Sequence, residues 1–186
     1  SLVVNSAAID VSDLNTAITN ANSLASGTPV FTLSDAAAVI SGGSESEFAD
    51  LMLVEGAAGT DNINLSSQAL TIDSGTISSI TNANNFTSST TGTVTGTITS
   101  GTRVADLTDL TDGAANAAYT ITLDALDSGV ATAANLNRIN GGTTEDVNLT
   151  NITALAASNL SDITTLISAI PDFSNAGGIA TITLTN

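Results

Sequence analysis

The sequence contains no cysteine, no histidine and no lysine, and each absence removes a kind of chemistry. Without Cys there is no disulfide, no thiolate nucleophile and no thiolate metal ligand. Without His the base of a Ser-His-Asp triad and an ordinary zinc site are both lost. Without Lys there is neither a Schiff-base amine nor a phosphate-binding P-loop. Aromatic residues are 3% of the chain, with one Tyr and no Trp. A sugar-cleaving site that stacks its substrate on a ring is therefore left with Tyr119 alone. These gaps argue against an enzyme, and none is expected here.

Positive charge is nearly missing as well. Arg103 and Arg138 are the only cations against 18 Asp and Glu, for a net charge of −16. Such a field repels nucleic acid and anionic bilayers, so neither is an expected partner. It attracts calcium and cationic partners, and it also keeps an extracellular protein soluble in salty water. Charged residues are still only 11% of the chain and hydrophobic ones 42%, the composition of a folding sequence and not of a polyelectrolyte. With so few rings, the core has to be built from Ala, Val, Ile and Leu. No apolar run reaches the roughly 18 residues a membrane helix needs, and no membrane insertion is expected. The sequence opens at Ser1 with no Met, basic stretch or apolar leader, which reads as a processed or excised piece of something longer. Lack of Cys and abundance of Thr, Ser, Asn and Gly point to an extracellular or cell-surface location.

What is present is short and periodic. Ile9, Leu14, Ile18 and Ala21 lie about a helical turn apart and predict a helix within 6–25, capped by Asp10 or Ser12. Val30 to Leu33 reads as a strand, and Ser34-Asp35 opens a short Ala-rich helix stopped by Gly42 and Gly43. Ser44 and Glu47 have capping-box spacing ahead of Phe48, Leu51 and Met52. From Asn62 to Val104 β-branched and small polar residues alternate, predicting strands at 62–65, 70–73, 77–80 and 93–99. Further on, strands are predicted at 119–123, 146–149 and 178–184, with helices at 132–139 and at 158–170, the latter ended by Pro171.

Several stretches repeat a phrase. Val11 to Ile18, Ala131 to Ile139 and Ala157 to Ile163 each set a hydroxyl cap before Leu with Asn or Ser beside it, then Ile about a turn later. Ser34 to Ile40 is a poorer copy. This spacing falls in the range of repeat arrays. The expected fold class is a β-rich α/β chain: an elongated, solenoid-like stack of short strands with short capped helices, the alternative being a compact α+β or β-sandwich domain. The expected organisation is a helix/strand region over 1–60, a β-rich region over 61–105 and a strand/helix region over 106–186, or one continuous domain.

Ala131 to Thr143, followed by Asp146-Val147-Asn148-Leu149-Thr150 and Ile152-Thr153-Ala154-Leu155, resembles the tandem-repeat segments of giant secreted cell-surface proteins of marine bacteria, surface-layer and adhesin-like proteins among them. The resemblance covers the last third well and residues 10–40 loosely, and the β-rich middle departs from it. It implies a structural role and carries over no active-site residues.

Two sets of residues are candidates for function. Asp106, Asp109 and Asp112, with Asp124 and Asp127 downstream, offer the carboxylate oxygens that calcium takes. The run matches no EF-hand loop, and the same residues suit turns and helix caps on a solvated face. Val30 and Phe31, and Ile179, Thr181, Ile182 and Leu184, lie on strands without Lys or other gatekeepers, so they form a candidate assembly edge. Thr93, Thr95, Thr97 and Thr99 would line one strand face, read here as solvated β-surface. Asn64, Asn85, Asn148, Asn151 and Asn159 begin Asn-x-Ser/Thr sequences, which do not establish glycosylation. The expected function is a structural subunit of an extracellular bacterial surface layer, sheath or filament, a homo-oligomer or polymer joined through strand edges. Two alternatives stand beside it: a calcium-dependent adhesin, with cell-surface polysaccharide as a possible target, and a carbohydrate-acting enzyme on a β-helix.

Overall fold

The computed structural model describes residues 2–4, 6, 8–24, 31–33, 38–56, 65, 67–99, 101–111, 113 and 115–185. The chain divides into two compact units, Ser1–Gly96 and Thr97–Asn186. In the first, β1 (Leu2–Val4), β2 (Ala8–Asp10), α1 (Val11–Leu24), β3 (Phe31–Leu33), β4 (Val39–Gly43), α2 (Glu45–Gly56), β5 (Ala69–Ile77) and α3 (Ile80–Ser89) lead into β6 (Val94–Ile98). In the second come α4 (Val104–Leu107), β7 (Ala117–Thr120), α5 (Ala133–Gly141), β8 (Val147–Asn148), β9 (Ala154–Ser158), α6 (Leu160–Ser168), β10 (Phe173–Ser174) and β11 (Thr181–Leu184).

The expected solenoid-like stack is not what forms. Strands β2-β4-β5-β6-β7 make a five-stranded parallel sheet in that order, and short helices follow the strands, so the chain is a small α/β fold. Among the described residues the remaining strands form two-stranded pairs, β1-β3, β10-β8 and β11-β9. The expectation rested on strands too short to stand alone. In fact β5 runs nine residues and finds parallel neighbours inside one sheet, with Ile9 opposite Ile40 and Ile40 opposite Leu70. Parallel strands need crossover connections, and these are the helices.

The 62–104 stretch is not purely β either, because α3 lies within it. Its Thr-Asn-Ala-Asn-Asn run is poor in helix formers. The helix forms because Ser79 caps it, accepting from Asn82 N at 3.2 Å, and because Ala83 and Phe86 are fully buried. Phe86 meets Phe48 of α2 edge to face at 6.0 Å, a pairing that adds about 1 kcal/mol beyond area burial. The Ala-rich helix expected up to Gly42 is corrected too, since Val39–Gly43 is a strand whose β-branched Val39 and Ile40 suit the pleat. Residues 34–37 of that expectation lie outside the described residues, as does the predicted strand at 62–64. Elsewhere local rules hold. Glu47 accepts from Ser44 N at 2.8 Å at the start of α2, and Thr132 with Asn135 closes a reciprocal capping box on α5.

Candidate functional site

The candidate edge residues fall on two described strands, β3 and β11. Val30 lies outside the described residues. Phe31 belongs to β3, whose backbone pairs parallel with β1. Ile179 precedes β11 and is half-buried, while Thr181, Ile182 and Leu184 lie in β11, exposed along its whole length. Alternating Thr, Ile, Thr and Leu favour a pleated strand. On one side it is held by β9, with Thr181 opposite Ala154 and Ile182 opposite Leu155, and flanking bonds run from Ala180 N to Thr153 O at 2.8 Å and from Thr185 N to Ser158 O at 2.9 Å. Among the described residues no strand pairs with its other side. Ile182 also lines an apolar hollow of about 130 Å³ with Leu149, Leu166, Ile167, Phe173 and Ile179.

The Asp residues are not brought together. Asp106 is exposed on α4, Asp109 is exposed in the turn after it, and Asp112 lies outside the described residues. Asp124 caps a 3-10 turn, accepting from Leu126 N at 2.7 Å. Asp127 is 2% exposed and its oxygens are engaged. Arg103 donates to Oδ1 from Nε at 2.8 Å and from Nη2 at 2.7 Å, and Val104 N donates to Oδ2 at 3.1 Å. Asp127 thus neutralises one of the two cations and satisfies an orphan N–H at the start of α4. Among the described residues no group of three acidic side chains is placed to hold a metal ion.

One well-bonded carboxylate, Glu45, was passed over by the sequence reading. Glu45, the first residue of α2, accepts from Ser78 N at 2.8 Å, Ser78 Oγ at 2.9 Å, Ser79 N at 3.0 Å and Asn82 Nδ2 at 2.8 Å. Burial by itself raises its pKa, but these donors outweigh it and hold the carboxyl below its ordinary value. Asp10 is held low by the Ser12 hydroxyl and amide, and Glu47 by the Ser44 amide and hydroxyl. Asp73 accepts from Gly42 N at 3.0 Å. The sequence signal for Glu45 was a Ser-Ser-Ile start to α3 that needed an acceptor, with nothing local to identify which one.

The Leu-Asn phrase has a physical meaning as well. Asn15 of α1 donates to Glu47 O of α2 at 3.0 Å, and Asn137 of α5 donates to Asp162 O of α6 at 2.9 Å. In each unit the Asn ties one helix to the next while the adjacent Leu14 or Leu136 is buried.

Tyr119, which a sugar-stacking site would need, is 1% exposed. In the Thr row, Thr93 and Thr97 are exposed and Thr95 Oγ1 bonds Thr71 Oγ1 at 3.1 Å, so the hydroxyls do not form a uniform array. Several Asn-x-Ser/Thr asparagines have structural roles: Asn148 accepts from Thr150 N, Asn151 donates to Leu123 O and Asn159 caps α6. A shallow groove of about 530 Å³ between α2 and α3 is lined by Ala49, Met52, Asn82, Asn85, Ser88 and Ser89. No helix among the described residues is long and apolar enough to cross a membrane. No protein-family model, no curated protein and no solved structure matches this chain.

Proposed function

We propose that this chain is a structural, self-associating element of an extracellular bacterial surface layer, sheath or filament, joined through strand edges. The observation that carries this reading is β11: a strand exposed throughout, free of charge and hydrogen-bonded on one side among the described residues, with a register shift against β9 between Ile182 and Leu184. An edge of this kind offers backbone donors and acceptors in register, and natural proteins usually block it with Lys, Pro or a covering element. Here residues 173–186 contain no charged side chain and no Pro. A side-chain inventory without His, Cys or Lys favours a mechanical role over a chemical one.

Charge sets the conditions. Copies carrying −16 each repel one another, and salt screens that repulsion over a Debye length of about 10 Å at 0.1 M. Association should therefore strengthen with ionic strength. Sedimentation and negative-stain electron microscopy over a salt series, with chelator or with calcium at matched ionic strength, test this directly. Oligomers, fibres or sheets that grow with salt are the expected result, and a gain specific to calcium would give the exposed carboxylates a metal role. A chain that stays monomeric at millimolar concentration in every condition is not an assembly subunit.

A further inference from the structure

We propose that the groove between α2 and α3 is a binding site for a neutral sugar residue, through which an acidic surface protein holds an uncharged glycan. The proposal goes beyond the assembly reading and stands on the single chain. The groove exists because a tie between helices is missing. Asn15 and Asn137 each stand five residues after their helix caps, Asp10 and Thr132, and each donates to a carbonyl three residues after the next cap, Glu47 O after Ser44 and Asp162 O after Asn159. In α2 the same position, five residues after Ser44, holds Ala49. Its methyl group cannot make the bond to the matching residue of α3, Asn82, three after the cap Ser79. Phe48 and Phe86 still join the two helices through the core. Outside that contact an opening of about 530 Å³ remains, and Ala49 and Asn82 both line it.

The lining suits a ring that alternates hydroxyls with C–H bonds. Ser88 Oγ donates to Asn85 O at 3.0 Å and Ser89 Oγ donates to Phe86 O at 2.8 Å, so each hydroxyl has spent its proton and keeps lone pairs for a ligand O–H. Asn82 Nδ2 donates to Glu45 Oε1 at 2.8 Å, which leaves Oδ1 as a further acceptor. Asn85 is exposed, and its amide both donates and accepts. Met52 and Ala49 supply the apolar wall, where a soft thioether adapts to a C–H face. Charge sets the ligand class. Among the described residues no charged side chain lines the groove, and the oxygens of nearby Glu45 are occupied by Ser78, Ser79 and Asn82. A cation therefore finds no carboxylate to pair with, an anion is repelled by the net charge of −16, and a neutral ligand is favoured. Phe86 is fully buried, so no ring stacks on the sugar and the dissociation constant is on the order of a millimolar. Many copies in one assembly, meeting a glycan of many residues, raise that weak hold through effective concentration.

Met52 is the only methionine in the chain, so an isotope-labelled methionine methyl group gives a single NMR signal that reports the groove in the full-length, monomeric protein at low salt. The probes are the methyl glycosides of glucose, galactose, mannose and N-acetylglucosamine. At least one should shift the signal saturably, with half-saturation on the order of a millimolar, and glucuronate should leave it unmoved. Ala49→Asn supplies the missing tie and should abolish the shift without lowering the urea midpoint. Asn85→Ala, at an exposed position, should weaken binding about fivefold with the midpoint unchanged. A signal unmoved by every glycoside at about 100 mM, roughly a hundredfold above the expected constant, overturns the proposal. So does a shift that survives both substitutions, or one that glucuronate or an uncharged capped dipeptide produces equally. Each titration is read on the single chain, so these failures leave assembly standing, and assembly fails separately in the salt series.

Discussion

Strands β5 and β11 carry the same alternation and meet opposite fates. In β5, Leu70-Thr71-Ile72 places Leu70 at 0% and Ile72 at 3% exposure, while in β11, Ile182-Thr183-Leu184 leaves Ile182 at 41% and Leu184 at 60%. The difference is in neighbours. β5 is flanked by β4 and β6 within the sheet, and α2 and α3 pack on it, whereas among the described residues β11 pairs with β9 alone and Ile182 borders only the small hollow beside α6. Alternation therefore specifies which side chains share a face, and a flanking strand and helix decide whether that face is dry.

The sharpest way to break this contrast is to truncate one leucine from each strand. Leu70→Ala leaves a cavity in a closed core and should cost about 3 kcal/mol. Leu184→Ala removes an exposed side chain and should cost under about 0.5 kcal/mol. Urea unfolding of both variants checks this, and equal losses would mean that β11 is as buried in solution as β5.

A second pair of variants probes backbone crowding. A Cβ on Gly92, just before β6, would lie 2.3 Å from Gln68 O and 2.8 Å from Ala69 N, backbone atoms at the start of β5, whereas Gly177 ahead of β11 has nothing within 4 Å. Main chain yields less readily than a side-chain tip, so Gly92→Ala should cost about 2 kcal/mol. Gly177→Ala should lie within about 0.5 kcal/mol of the parent. Thermal melts of the two rank the regions independently of hydrophobic burial.

The same contrast explains what was legible in the sequence. Caps and short helices are local, so Ser44 with Glu47, and a hydroxyl cap at Thr132 ahead of Leu136 and Ile139, identified α2 and α5. The alternation at 178–184 likewise identified β11. The sheet was not legible, because β5 pairs with β4 across a long crossover, Ile40 with Leu70, and no window of sequence contains both partners. Helix α3 was missed because its stability comes from Phe86 meeting Phe48 and from Glu45, not from propensity. The Asp run was read as one cluster because its members are close in sequence, yet Asp127 is paired with Arg103 and Asp124 caps a turn. For the edge, the sequence showed that β11 carries no charge, and only the strand order showed that one side has no partner among the described residues.

Acid provides the last and smallest separation of the two regions. Beside β5, Glu45 joins the start of α2 to the start of α3, and four donors hold its carboxyl below the ordinary range. Residues 173–186 around β11 have no titratable side chain. A carboxylate whose folded pKa is depressed contributes stability that is present above its unfolded pKa and lost as pH falls through the folded value. Glu45→Gln keeps the shape and one acceptor oxygen but removes the charge, and at neutral pH it should cost about 1 kcal/mol. The gap between Glu45→Gln and the parent should close as pH falls below the ordinary carboxylate range, because the parent then protonates the same group. Urea midpoints for both proteins across that range measure it, and a gap that persists undiminished in acid would show that Glu45 acts through packing and not through its charge. Exchange of the β9–β11 amides, corrected for the intrinsic pH dependence of exchange, should respond to neither the substitution nor the acid, since no carboxylate holds that edge in place.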